Sequence, residues 1–214
     1  QFAYEAAKIA LENMTPVVLL TDTYLANGTA LWRIPKMAEL PEIKPQSVPE
    51  ELKGKYSVAL RDENNIRYWA TPGMEGYEHR NIGLERDSVK GSISTNPENH
   101  EKMILARQAK VDQVANKIPE LKVIGNTKSD TLLVGGGSTE GHIHAAANEL
   151  GCAMAHFNYI NPLPKNTAEV LRAYKRVIVC ELNNGQFAML LRAKVPGVEL
   201  LQYNEIMGQP FAVE

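Results

Sequence analysis

The stretch Thr131-Leu-Leu-Val-Gly-Gly-Gly-Ser-Thr-Glu-Gly141 concentrates residues that could do chemistry. Consecutive glycines let the backbone bend where side chains would collide, and the amides exposed at such a turn suit a phosphate or carboxylate near Gly136 to Ser138. Tight packing of a strand onto a helix, with no ligand, accounts for the same glycines. The spacing matches neither the G-x-G-x-x-G dinucleotide fingerprint nor a Walker loop, which needs Lys-Ser/Thr after its spacer. A second candidate is Glu181-Leu-Asn-Asn-Gly-Gln186. Glu181, Asn183 and Gln186 either direct hydrogen bonds into a crevice at a strand's carboxyl end or cap the turn and the helix that follows.

Other reactive side chains converge less well. Thr71 to Arg80 brings Glu75, Glu78, His79 and Arg80 close in sequence, a set suited to acid/base work, carboxylate binding or a salt-bridged loop. His142 and His144 are two apart at the start of a helix and so point to different sides, which argues against a metal site. Only Cys152 and Cys180 are present, both in apolar strands, and two buried free thiols are expected. A cluster held by this chain alone would need more cysteines. No Gly-x-Ser-x-Gly elbow occurs, so no catalytic nucleophile is assigned.

The elements that must position these groups follow from periodicity. Ala6, Ala7, Ala10 and Leu11 share a helical face over residues 3–13, and Val17 to Thr21 reads as a buried strand ending at Asp22, which either faces a crevice or caps the next short helix. Four prolines between Pro35 and Pro49 read as an ordered arm or a linker. Asp62 to Asn65 is the expected turn of a hairpin over Tyr56 to Ala70, and residues 71–97 form a long irregular segment. Asn96-Pro97 starts a bridging helix to about Lys117, with Ile104, Val111 and Ile118 recurring every seven residues beside Val114.

From Thr131 onward the pattern is β-α-β-α-β-α-β, with a first strand from Thr131 into the glycine turn and further strands at residues 152–157, 176–181 and 198–203. Ser138 or Thr139 is the expected cap of the first helix, whose apolar residues are Ile143, Ala146, Ala147 and Leu150. The expected fold class is α/β, a doubly wound and mostly parallel open sheet, preceded by an irregular arm and part of a second α/β domain. Boundaries fall at 1–35, 36–124 and 125–214.

Charge narrows the partners. Lys and Arg total 23 against 25 Asp and Glu in 214 residues, so nothing favours nucleic acid or an anionic membrane. Apolar runs such as Pro16 to Leu20 are too short to cross a bilayer, and a cytoplasmic location is the default expectation. The chain begins with Gln1 and enters a helix with no lead-in, which gives the expectation of a piece of a longer protein. An incomplete opening domain would expose apolar surface and favour association into oligomers.

Several motifs in one order resemble a known family. Gly135-Gly-Gly-Ser-Thr-Glu-Gly141, Asn161-Pro-Leu-Pro164, Glu181-Leu-Asn-Asn-Gly-Gln186 and Tyr203-Asn-Glu-Ile-Met-Gly-Gln-Pro-Phe211 look like the α subunit of 2-oxoacid:ferredoxin oxidoreductases, most closely the 2-oxoglutarate type. Gly76-Tyr-Glu-His-Arg-Asn-Ile-Gly-Leu-Glu85 and Pro97-Glu-Asn-His100 extend the resemblance over almost the whole chain.

The resemblance implies that residues 1–35 are the tail of a pyrimidine-binding thiamine-diphosphate domain, and that residues 125–214 form a transketolase C-terminal-like domain. It implies an enzyme that decarboxylates a 2-oxoacid oxidatively with thiamine diphosphate, coenzyme A and an iron–sulfur cluster, passing electrons to ferredoxin. The cofactor pyrophosphate and the cluster belong largely to a β subunit, so no cofactor is expected on this chain alone. The family's Tyr-Pro-Ile-Thr-Pro motif and activating glutamate do not occur in this chain, and Arg86 stands where His is common. No catalytic residue is therefore carried over. Gly136, Ser138, Glu181, Asn183 and Gln186 are expected near a ligand or an interface. The alternative is a freestanding binding or assembly module without activity.

Overall fold

The computed structural model describes residues 1–212, so Val213 and Glu214, at the end of the expected 125–214 domain, lie outside the described residues. In chain order the regular elements are α1 (Phe2–Asn13), α2 (Thr23–Asn27), α3 (Pro97–Asp112), β1 (Val123–Gly125), β2 (Thr131–Gly136), α4 (Glu140–Leu150), β3 (Ala153–Phe157), α5 (Thr167–Arg172), β4 (Arg176–Glu181), α6 (Gln186–Lys194) and β5 (Leu200–Asn204). They divide into two compact units: Gln1–Leu19 with Trp32–Lys117, and Leu20–Leu31 with Ile118–Glu214.

In the first unit the proline-rich arm runs along α1, because a chain that cannot form its own ladder must place its polar groups elsewhere. Tyr4 Oη donates to Pro41 O at 2.6 Å, Lys8 Nζ to Glu42 O at 3.1 Å, and the Lys44 amide to Glu12 Oε1 at 3.0 Å. α1 ends at Met14 in the left-handed region. Its last turn is closed by side chains: Asn13, fully buried, accepts from Gln113 Nε2 and Lys117 Nζ, both at 2.8 Å, while Lys110 Nζ donates to Met14 O at 2.6 Å. α3 begins as the sequence predicts, with Asn96 Oδ1 accepting the Asn99 amide at 2.7 Å and Pro97 in the first turn.

Three expectations change here. Val17 to Leu20 is not a strand: the segment has no ladder partner among the described residues, and Val18 and Leu20 are 78% and 68% exposed. A strand needs a neighbour to bond to, whatever its composition. The expected hairpin is reduced to one antiparallel bridge, Arg61 to Arg67, around an Asp62 turn in which Asn65 takes φ 61°. The inward face of α3 is Met103, Arg107 and Lys110, the second of these half-buried, rather than the Ile104 heptad, whose first member is 47% exposed; Val114, expected beside that heptad, is buried just past the helix's end.

The second unit is a five-stranded sheet in the order β1-β3-β2-β4-β5, with β2 to β5 parallel and β1 antiparallel at the edge. Alternate residues of each strand face opposite layers. Leu132, Val134, Ala155, Val177 and Val179 pack against Leu171 of α5 and Ala188 and Leu191 of α6. Leu133, Met154 and Cys180 pack against Ile143 and Ala147 of α4. Helices thus cover both faces, as a doubly wound sheet requires. The antiparallel β1 was not foreseen, because three residues, Val-Ile-Gly, give no periodic signal.

Candidate functional site

The carboxyl ends of β2, β3 and β4 carry the loops where the candidate residues sit. Gly135 ends the straight part of β2, and a Cβ there would lie 2.2 Å from Ile143 Cδ1 and 2.4 Å from Thr139 Oγ1, so α4 can approach the strand only over a hydrogen. Gly137 then turns the chain at φ 62° into a short 3₁₀ segment that leads into α4. Neither Ser138 nor Thr139 caps the helix by its side chain; Thr139 Oγ1 instead donates back to Gly136 O at 2.9 Å.

An anion does occupy this turn, and the chain supplies it. The Ser138 amide donates to Asp22 Oδ2 at 3.1 Å, while Asp22 Oδ1 accepts the Leu25 amide at 3.0 Å as the cap of α2. Burial pushes the Asp22 carboxyl up, but bonds from Ser138, Leu25 and Tyr24 outweigh it and hold the group below the ordinary aspartate range. The Ser138 hydroxyl stands close enough to favour that charge, yet its oxygen is buried without a partner of good hydrogen-bond geometry. The Tyr24 ring meets His142 edge-on, with centroids 5.6 Å apart.

His156, near the end of β3, was not singled out by sequence, where it is one residue in an apolar strand. Its Nε2 lies 3.0 Å from Gly137 O, which makes that nitrogen the donor, and Nδ1 is buried with no partner. Ser138 and His156 therefore each bring an unsatisfied polar atom to the strand ends flanking Gly137.

Glu181 is 4% exposed, and both of its carboxylate oxygens serve the fold: Oε2 accepts the Phe187 amide at 2.7 Å and Oε1 the Ala188 amide at 2.9 Å. Asn183 Oδ1 takes the Gly185 and Gln186 amides at 2.9 and 3.1 Å. Four donors at the turn into α6 are thereby satisfied, and a negative charge sits at the helix's positive end. Gln186 is exposed as the first residue of α6.

The Thr71 to Arg80 loop gathers no acid/base set. Glu75, Glu78, His79 and Arg80 are exposed, Tyr77 is the buried anchor, Glu78 Oε1 accepts the Gly76 amide, and His79 Nδ1 contacts Tyr77 O. Both cysteines are buried and free. Burial, with the neighbouring Cys152 and Glu181, pushes the Cys180 thiol up to about 11, far from a thiolate nucleophile.

These residues suit neither a metal cluster nor a pyrophosphate at the glycine turn. Among the described residues no three His, Cys, Asp or Glu side chains gather as a metal would need. Two cysteines cannot furnish the four thiolates of an iron–sulfur cluster. At the glycine turn Asp22 already takes the Ser138 amide that a pyrophosphate would use.

No family model matches the chain. It is 41% identical over 99% of its length to the 2-oxoglutarate oxidoreductase subunit KorA of Mycobacterium tuberculosis. It is 29% identical over 92% of its length to the 2-oxoacid:ferredoxin oxidoreductase subunit alpha of Saccharolobus solfataricus. The chain spans 33% of each of these relatives. The solved 2-oxoglutarate:ferredoxin oxidoreductase of Magnetococcus marinus, which has 2-oxoglutarate, coenzyme A and succinyl-CoA bound, superposes on 96% of this chain and 37% of its own, with a TM-score of 0.88 and 27% identity. The similarity is sustained over nearly every residue, in sequence and in three dimensions, and matches this chain to about a third of the length of 2-oxoacid:ferredoxin oxidoreductase α subunits.

Proposed function

We propose that this chain serves the oxidative decarboxylation of a 2-oxoacid, 2-oxoglutarate in the first instance, to an acyl-coenzyme A with electrons passed to ferredoxin. The observation that carries the reading is the 41% identity to a 2-oxoglutarate oxidoreductase subunit across 99% of the chain. The part this chain plays is assembly. Glu181 and Asn183 spend their oxygens on α6, Asp22 spends its own on α2 and the glycine turn, and both thiols are buried. Gly136, Ser138 and Gln186 remain as positions near a ligand or a subunit boundary.

In this reading residues 1–35 close a pyrimidine-binding domain, 36–124 form the connecting segment, and 125–214 are the transketolase C-terminal-like domain. Thiamine diphosphate supplies the carbanion chemistry in the intact enzyme, and that cofactor and the iron–sulfur cluster are held chiefly outside this chain, largely by a β subunit, in the cytoplasm.

The test is 2-oxoglutarate- and coenzyme A-dependent reduction of ferredoxin, or of a viologen dye, by the complete complex containing this sequence. Activity with 2-oxoglutarate above that with pyruvate is the expected result. Reduction that ignores coenzyme A, or no activity with any 2-oxoacid, overturns the proposal and favours a freestanding binding module.

A further inference from the structure

In the first unit, five cations meet with one carboxylate to answer them. Arg61 and Arg67 are partners across an antiparallel bridge, so their side chains leave the same face, where like charges directly opposite are destabilising. Arg107 and Lys110 come from the inward face of α3, and Lys110 is only 7% exposed. Arg86 adds a fifth charge and interacts with Arg67.

The chain answers these charges mostly with neutral oxygens. Arg61 Nη1 donates to Asn65 O at 2.8 Å, Arg86 Nη2 to Ile82 O at 2.6 Å, Lys110 Nζ to Met14 O at 2.6 Å, and Arg67 Nη1 only reaches Val58 O at 3.5 Å. Glu85 is the carboxylate engaged, and it is spent on Arg107, at 3.1 and 3.3 Å, and on His100 at 2.8 Å. Two donors, Arg61 Nε and Arg86 Nη1, are buried and reach no acceptor. A water molecule could take one such donor but brings no charge, and half-buried cations without a counterion are costly. The cluster opens to solvent beside Arg107, whose side chain is 43% exposed.

We propose that Arg61, Arg67, Arg86, Arg107 and Lys110 form a binding site for a small diffusible oxyanion, a phosphate or carboxylate group, which the guanidinium forks would hold bidentately. The site lies wholly within the first unit and does not rest on the oxidoreductase reading. Mutual repulsion supports it: burial, then Arg61, Arg67 and Arg107, draw the Lys110 amine down to about 8, a shift that a bound anion would reverse.

The experiment titrates the full chain with inorganic pyrophosphate and, separately, succinate at matched ionic strength, following heat by calorimetry. Saturable binding is expected, weakened about tenfold or more in Arg67→Gln and unchanged in Lys165→Gln, an exposed control in the other unit. Preference for pyrophosphate assigns a phosphate ligand, and preference for succinate a carboxylate. If Arg67→Gln fails to fold, Arg67→Lys keeps the charge but loses the fork, and weaker binding by that variant is the expected result. No saturable binding of either probe, or equal binding by wild type and the folded variant, overturns the proposal.

Discussion

Ser138 and Asp22 are 116 residues apart, yet the amide of one donates to the carboxylate of the other at 3.1 Å, so the glycine turn after β2 carries its own anion. Asp22→Ala removes the acceptor for both Ser138 and Leu25. The expected cost is about 1–2 kcal/mol, the range for a lost cap, read as a lower urea midpoint at unchanged slope. Because its folded-state pKa is depressed, Asp22 contributes stability that is present above its unfolded value of 3.8 and is lost as pH falls through the folded value. An Asp22→Ala chain with wild-type stability at neutral pH would show that the contact carries no weight.

Glu181 gives a sharper contrast, since it is buried and its two oxygens serve two amides. Glu181→Ala leaves the Phe187 and Ala188 amides without acceptors, at a cost of about 2–4 kcal/mol, whereas Glu181→Gln keeps one acceptor and costs less. Thermal unfolding of the two variants decides this. Equal Tm shifts would mean that the charge, not the acceptor count, holds the turn.

Gly135→Ala tests close packing directly. The new methyl would stand 2.2 Å from Ile143 Cδ1, a buried side chain with little room to retreat, and overpacking of this kind costs about 1–3 kcal/mol. Hydrogen exchange should localise the loss to β2 and α4. A variant of unchanged stability would show that α4 can shift away from the strand.

How much of this was legible in the sequence depends on where each signal lay. β2 and β4 are buried on both faces, so Thr131 to Gly136 and Arg176 to Glu181 read as near-continuous apolar runs, and the doubly wound sheet followed. The Asn96-Pro97 helix start was equally plain, being set by local hydrogen bonding. α3's inward face was misread because its buried stripe contains Arg107 and Lys110, whose long side chains are polar by type though their stems pack inward. Val17 to Leu20 has strand composition but no neighbour to pair with among the described residues. The Asp22–Ser138 contact and the orphaned nitrogen of His156 depend on tertiary placement, for which no spacing rule exists.

Glu85 and Lys110 should each make the first unit more stable as pH rises, in two windows at opposite ends of the scale. Arg107, then His100, hold the Glu85 carboxyl at about 2 against an ordinary 4.5, so its contribution is present above pH 4.5 and disappears as pH falls toward 2. Lys110 is a depressed amine. Facing Arg61, Arg67 and Arg107, with the Met14 carbonyl as its acceptor, it titrates at about 8 when folded and 10.5 when unfolded. Between those values the unfolded chain binds more protons, so stability rises with pH across that window. Lys110→Met should abolish the rise, while Glu85→Gln should flatten the acid limb and leave the alkaline rise intact. Urea unfolding across the pH range measures both, and an alkaline rise that survives in Lys110→Met would mean that another group is its source.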